Sequence, residues 1–185
     1  MATHTKANLS AERKLDKDSG LTADRLRSLF RYEPDTGHLI RLWPATRKCD
    51  ERYVGAPIGH PSTLGYTLVS IDGRKYLAHR LAWLWMTGDW PQHGIDHING
   101  TGTDNRWENL RSATVSQNAA NRGVQANSRS GIKGVWFDRS RGLWTAMIAV
   151  RGRRYSLGRH PTKEAAAAAY SDACVAHFGE FARTG

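Results

Sequence analysis

Apolar residues recur along this chain first at helical and strand spacings and then, toward the C-terminus, almost entirely in alternation. Thr22 precedes Leu26, Leu29 and Phe30, which fall on one side of a short predicted helix that Thr22 can cap. Tyr32 to Leu42 contains Pro34-Asp35-Thr36-Gly37, a turn between two short extended pieces. Residues 43 to 62 carry no clear period; Arg47, Lys48 and Arg52 lie there in what reads as a solvated loop with cations able to touch phosphate. A hairpin is predicted from Gly65 to Ala78, with Asp72-Gly73 at its tip. The helix that follows presents Trp83, Leu84, Trp85 and Met86 as its expected core face, and Trp107 is expected as a core plug. Thr114 opens another short helix, because its hydroxyl and Gln117 three residues on have the spacing of a capping box.

Around Asn121 to Gly131 the composition turns small and polar, which predicts a linker over 123–130. Three extended runs follow, Ile132 to Phe137, Leu143 to Val150 and Arg153 to Arg159, broken by turns at 138–142 and at Arg151-Gly152. In the middle run Trp144, Ala146, Ile148 and Val150 share one face, and Thr145, Met147 and Ala149 the other. A closing helix is predicted from Thr162 to Phe178-Gly179, with Ala165 to Ala169 small enough to lie close on the sheet. The expected organisation is α+β: a mobile tail over 1–19, a first domain over 20–122, the linker, and a small three-stranded antiparallel sheet on one helix over 131–185.

Charge changes this picture more than composition does. The formal net charge is +10, which favours a polyanionic partner such as nucleic acid, although a ribosomal or membrane-surface protein shares that property. From Ser128 on there are ten Lys or Arg against four Asp or Glu, so six of the ten surplus charges lie in this last third of the chain. Arg139, Arg141, Arg151, Arg153 and Arg159 gather at its turns and third strand, where they are candidate phosphate grips, while Trp136 and Tyr155 are expected to pack. No apolar run approaches the roughly 20 residues of a membrane span. Cys49 and Cys174 are too far apart to suggest a disulfide framework or a zinc cluster, so a cytoplasmic location is expected.

The densest chemistry lies in residues 95–118, GIDHINGTGTDNRWENLRSATVSQN. Asp96 and His97 are adjacent, so on an extended strand they point to opposite faces and can divide the work of holding a metal and taking a proton. A histidine with its usual pKa of about 6.5 suits a general base near neutral pH. Asn109, twelve residues on and beyond a run of turn formers, is a candidate for orienting the imidazole. Asn118 lies one turn inside the helix from Thr114; a carboxylate with a neutral amide oxygen is a hard donor set suited to one magnesium or manganese ion shared with phosphate and water. His79 and Arg80, in AHRLAW, are further candidates for phosphate contact, and a helix-padding role is the stronger expectation for His79.

On these residues the segment resembles the HNH endonuclease family, in the phage homing-endonuclease form that writes the motif Asp-His, Asn, Asn. Residues 21–42 and 65–91 are similar to the leading part of the same phage proteins, so the resemblance covers about 20–125. It implies a strand-strand-helix metal finger, Asp96 and Asn118 as metal ligands, His97 activating the attacking water, and Asn109 positioning His97. The second domain resembles the APETALA-type, or ethylene-response-factor, DNA-binding domain, through KGVWF, WTAMIAV, YSLGRH and EAAAAAY in that order. That likeness implies a sheet entering the major groove with the helix behind it; only Lys133 and Arg154 fall where the family places basic contacts.

Together the two likenesses imply a metal-dependent nuclease that nicks or cuts double-stranded DNA, leaving 5′-phosphate and 3′-hydroxyl ends. The expected protein is a monomer without a small-molecule cofactor or a membrane partner, in the role of a homing endonuclease. A catalytically idle DNA-binding regulator is the alternative. An RNA- or ribosome-associated basic protein is a third reading, and it predicts tight binding without cleavage.

Overall fold

The computed structural model describes residues 20–43 and 53–184. The chain divides into two compact units, 1–112 and 113–185. The expected phosphate contacts Arg47, Lys48 and Arg52, and the expected tail, lie outside the described residues.

The N-terminal unit begins with helix α1 (Ala23–Leu29), whose N-cap Thr22 accepts a hydrogen bond from the backbone N–H of Arg25. A cap of this kind is worth about 1 kcal/mol. Leu26 is fully buried, but Phe30, expected on the helix, instead opens strand β1 (Phe30–Glu33), where its burial is met by strand alternation. Pro34 to Gly37 turn the chain into β2 (His38–Arg41), antiparallel to β1, and β3 (Pro57–Ile58) completes that sheet.

Strands β4 (His60–Pro61), β5 (Thr67–Ile71) and β6 (Arg74–Leu77) form a second antiparallel sheet. Its hairpin tip is Asp72-Gly73, both at positive φ, as a tight two-residue turn requires. Helix α2 (Ala78–Thr87) follows directly and ends at Gly88 in the left-handed region. The first turn of α2 is buried all round, through His79, Arg80, Leu81 and Ala82, and Leu84 continues the buried side beyond it. Leu84 is therefore on the core face as expected, while Trp83, Trp85, Met86 and Trp107 are only partly buried and pack around that core. Indole rings here also serve as donors: Nε1 of Trp85 bonds the carbonyl of Phe30 at 3.3 Å, and Nε1 of Trp90 that of Leu21 at 3.1 Å. Strand β7 (Gly94–His97), buried along its whole length, pairs with β8 (Leu110–Ala113).

In the C-terminal unit, helix α3 (Val115–Asn121) starts with the capping box of Thr114 and Gln117. Strands β9 (Val135–Asp138), β10 (Leu143–Val150) and β11 (Arg153–His160) form an antiparallel sheet with β10 in the centre. Helix α4 (Lys163–Phe178) is capped by Thr162 and buries Ala166, Tyr170 and Cys174 against the sheet residues Val135, Ala146 and Ile148. Trp144 and Val150 pack on the same cluster, so the β10 alternation has the expected sense. At Gly134, φ is positive and a Cβ would run into the Tyr170 ring and the Met147 carbonyl. Only glycine lets β9 approach that closely.

Candidate active site

Asp96 and His97 occupy the last two places of β7, and their side chains have different partners. Nε of Arg111, on the paired strand β8, donates to Oδ2 of Asp96 at 2.9 Å. The two side chains are 11% and 4% exposed, so Arg111 supplies the counter-charge that a buried carboxylate needs and fixes its rotation.

The His97 ring meets Oδ1 of Asn105 through Nε2 at 3.2 Å. Asn105 is itself buried, and its Nδ2 donates to the carbonyl of Thr103 at 3.3 Å. That bond places the amide oxygen, which can only accept, toward the imidazole. With the amide turned this way, Nε2 is the atom that donates to Asn105. Asn105 is held in turn. Its carbonyl accepts from the hydroxyl of Tyr32 at 2.6 Å, and Gly37, at positive φ, lies so close that a Cβ would strike the Asn105 backbone. Burial, then the nearby Asp104 carboxylate, pushes the Tyr32 phenol well above its ordinary range, so it remains a donor. The β1–β2 hairpin thus sets the height of Asn105, and Asn105 sets the ring.

Asn109 is the residue expected to hold the imidazole directly, yet its bonds run elsewhere. Oδ1 accepts from the backbone N–H of Asn99 at 3.0 Å, and Nδ2 donates to Asn99 Oδ1 at 3.1 Å and to the Asp104 carbonyl at 2.7 Å. It ties the 98–105 loop shut, one step removed from His97. The same loop is braced by Arg106, which bonds both oxygens of Asp104. Those bonds, with the one from Asn99, hold the Asp104 carboxyl at about 2.

Two more rings complete the cluster. His79, in the first turn of α2, stands edge-on to His97 with centroids 4.9 Å apart, and Tyr66 lies 5.4 Å from His79 and 6.0 Å from His97. His79 and Arg80 are each 2% exposed. Arg80 turns its guanidinium toward the carbonyls of His93 and Pro91, both at 3.5 Å. Both residues are buried within the core around the site. Asn105, Arg111 and Tyr66 are the site residues that sequence reasoning did not single out; Asn105 figured only as a turn former.

Asn118 belongs to the other compact unit, on α3, where it is half-buried. Among the described residues no group of three or more His, Cys, Asp and Glu side chains converges as a metal cage. The buried Asp96 carboxylate is a hard oxygen donor, suited to an ion that keeps water and phosphate oxygens as further ligands and not to zinc.

Comparison with known proteins bears on this site. A family model described as HNH endonuclease matches residues 76–120, and one described as AP2 domain matches 130–174. An uncharacterized HNH endonuclease of Acanthamoeba polyphaga mimivirus is 31% identical over 142 residues, which cover 76% of this chain and 68% of that protein. The chain belongs to the HNH endonuclease family. Protein 3.8 of Escherichia phage T7 is 28% identical over 106 residues, 57% of this chain and 87% of the other. No solved structure matches. In this HNH family member no helix among the described residues is long and apolar enough to cross a membrane.

The AP2-type sheet carries the other candidate residues. Arg139, Arg141, Arg151, Arg153, Arg154 and Arg159 are all exposed. Of these, Arg141 pairs with Asp138 at 3.2 Å. Thr145 is opposite Trp136 on one side and Arg159 on the other, and Ala149 is opposite Arg154. Cross-strand partners share a face, so these residues line the side away from α4. Trp136, expected to pack, is 44% exposed there, because its neighbour Val135 takes the buried register. Tyr155, also expected to pack, is 46% exposed, with its ring stacked on His177 of α4 at a centroid distance of 6.4 Å. Lys133 is turned onto the end of α3 instead of outward.

Proposed function

We propose that this HNH family member is a metal-dependent endonuclease that hydrolyses phosphodiester bonds of double-stranded DNA, in the role of a phage-type homing endonuclease. The observation that carries the reading is the His97–Asn105 bond inside a buried cluster, which fixes the tautomer and aim of a general base. Nδ1 of His97 takes a proton from a water molecule as its oxygen forms a bond to phosphorus. The bond from phosphorus to the 3′ oxygen breaks and that oxygen takes a proton from solvent water, leaving a 5′-phosphate and a 3′-hydroxyl. Asp96 would hold one magnesium or manganese ion, which when bound supplies Lewis-acid stabilisation of the charge developing on the phosphate and leaving oxygen. Asn105 and Asn109 keep the base aligned, and Arg111 keeps the Asp96 carboxylate in one orientation.

The outward face of the C-terminal sheet would contact duplex DNA, with Arg154 and Arg159 on the face and Arg139, Arg141, Arg151 and Arg153 at its margins gripping phosphate. Trp136 adds a flat apolar surface amid these cations. Joining a weak site-binding module to a weak nuclease module raises overall affinity through effective concentration. Incubating supercoiled plasmid with the protein tests the reading: nicked or linear product is expected with magnesium and none with EDTA. Duplex binding without any metal-stimulated cleavage would favour the regulator instead.

A further inference from the structure

His97 is 5% exposed, so the water it activates, and the phosphate that water attacks, must reach the ring from the side that faces solvent. Asn105, His79 and Tyr66 border that ring. Asn105 and His79 are buried, whereas Tyr66 is only half-buried. Tyr66 therefore marks the side from which substrate arrives. Loops on either side hold it. In the turn before β5 the Ser62 N–H donates to the Tyr66 carbonyl at 2.7 Å, and the Tyr66 N–H donates to Ser62 Oγ at 3.3 Å. From the other side Gly102 comes so near that a Cβ would strike the Gly65 carbonyl and the edge of the Tyr66 ring. The ring is thus wedged between two imidazoles and the loop that Asn109 ties shut.

A phosphate under attack gains charge on its non-bridging oxygens, and hydrogen-bond donors fixed in advance lower the barrier most. The guanidinium groups of the site are engaged with protein: Arg80 with the carbonyls of His93 and Pro91, Arg111 with Asp96, and Arg106 with Asp104 and Glu108. A tyrosine can pack an apolar ring on its neighbours and still offer a polar tip at the boundary with water. We propose that Tyr66 is a catalytic residue whose phenol hydroxyl donates a hydrogen bond to a non-bridging oxygen of the scissile phosphate. The hydroxyl keeps its proton throughout; His97 alone takes the proton from water. The inference deepens the reading above and rests on His97 being the base.

The test compares the full-length wild type, Tyr66→Phe and His97→Ala in single-turnover cleavage of duplex DNA with magnesium, alongside duplex affinity in EDTA. Tyr66→Phe keeps the ring and loses the donor. It should bind duplex within about twofold of wild type and cleave roughly tenfold to a hundredfold more slowly. A duplex with one phosphorothioate at the mapped cleavage position separates contact from packing, because sulfur is a poorer acceptor than oxygen. For one of the two diastereomers the ratio of wild-type to Tyr66→Phe rates should collapse toward one. A packing defect would slow both diastereomers and the oxygen substrate alike, so an equal ratio for all three would overturn the inference even if Tyr66→Phe is less stable. A Tyr66→Phe rate equal to wild type, with His97→Ala still slow, would overturn it by itself. Equal rates for His97→Ala and wild type would remove the general base, and this inference with it.

Discussion

Asp96, His97, Asn105 and Asn109 are all buried, each held by specific hydrogen bonds. Arg139, Arg151, Arg153, Arg154 and Arg159 lie exposed, with no side-chain ion pair among the described residues. The contrast matches the role proposed for each region. A general base is effective only when its ring is aimed before the reaction begins, so its surroundings are dry and crowded. A phosphate grip gains by releasing counterions from DNA, and long solvated side chains suit that task. Salt should therefore act strongly on binding and weakly on the chemical step.

Among the residues that support His97, Asn105→Ala should give the largest departure. It removes the acceptor that holds Nε2 of His97, and single-turnover cleavage should slow roughly tenfold to a hundredfold, with the salt dependence of duplex binding unchanged. Asn105→Asp keeps an acceptor and should retain most of the rate. Gly37→Ala tests the same wall from the far side. Its Cβ would collide with the Asn105 backbone at a positive φ, so urea unfolding should show a loss of about 1–3 kcal/mol, accompanied by slower cleavage.

The exposed half of the comparison is sharpened by Arg154→Ala with Arg159→Ala. For every phosphate that goes unneutralised, the log–log salt slope of duplex binding should flatten by about 0.9, measured by fluorescence anisotropy across a salt series. The smallest effect is expected at Asp104. Its carboxyl is held at about 2, below its ordinary 3.8, first by Arg106. A depressed carboxylate contributes stability that is full above the ordinary value and fades as pH falls toward 2. Stability of wild type should therefore exceed that of Asp104→Asn near neutral pH, and the gap should close between about pH 4 and 2.

Much of the scaffold was legible because its signals are local. The Asp72-Gly73 hairpin, the Thr114–Gln117 capping box and the alternation of β10 each depend on residues a few places apart. Phe30 falls in a strand and not in the expected helix because helical and strand spacing overlap at a junction, and its burial satisfies both. The Asp96-His97 pair was legible from residue type, but its support was not. Asn105 looks like any loop asparagine until Tyr32, distant in sequence, bonds its carbonyl and Gly37 backs against it. The positive charge of Lys133 could be read; its direction could not, since that depends on where α3 ends. Trp136 likewise looks like core until Val135 takes the inward register.

The central claim, that His97 is a pre-aimed general base, is tested most directly by single-turnover cleavage of saturating duplex DNA with magnesium, comparing wild type with His97→Ala. The variant should bind duplex as tightly as wild type and cleave at least a hundredfold more slowly, about 2.7 kcal/mol in the barrier. Equal rates for the two proteins would contradict the account.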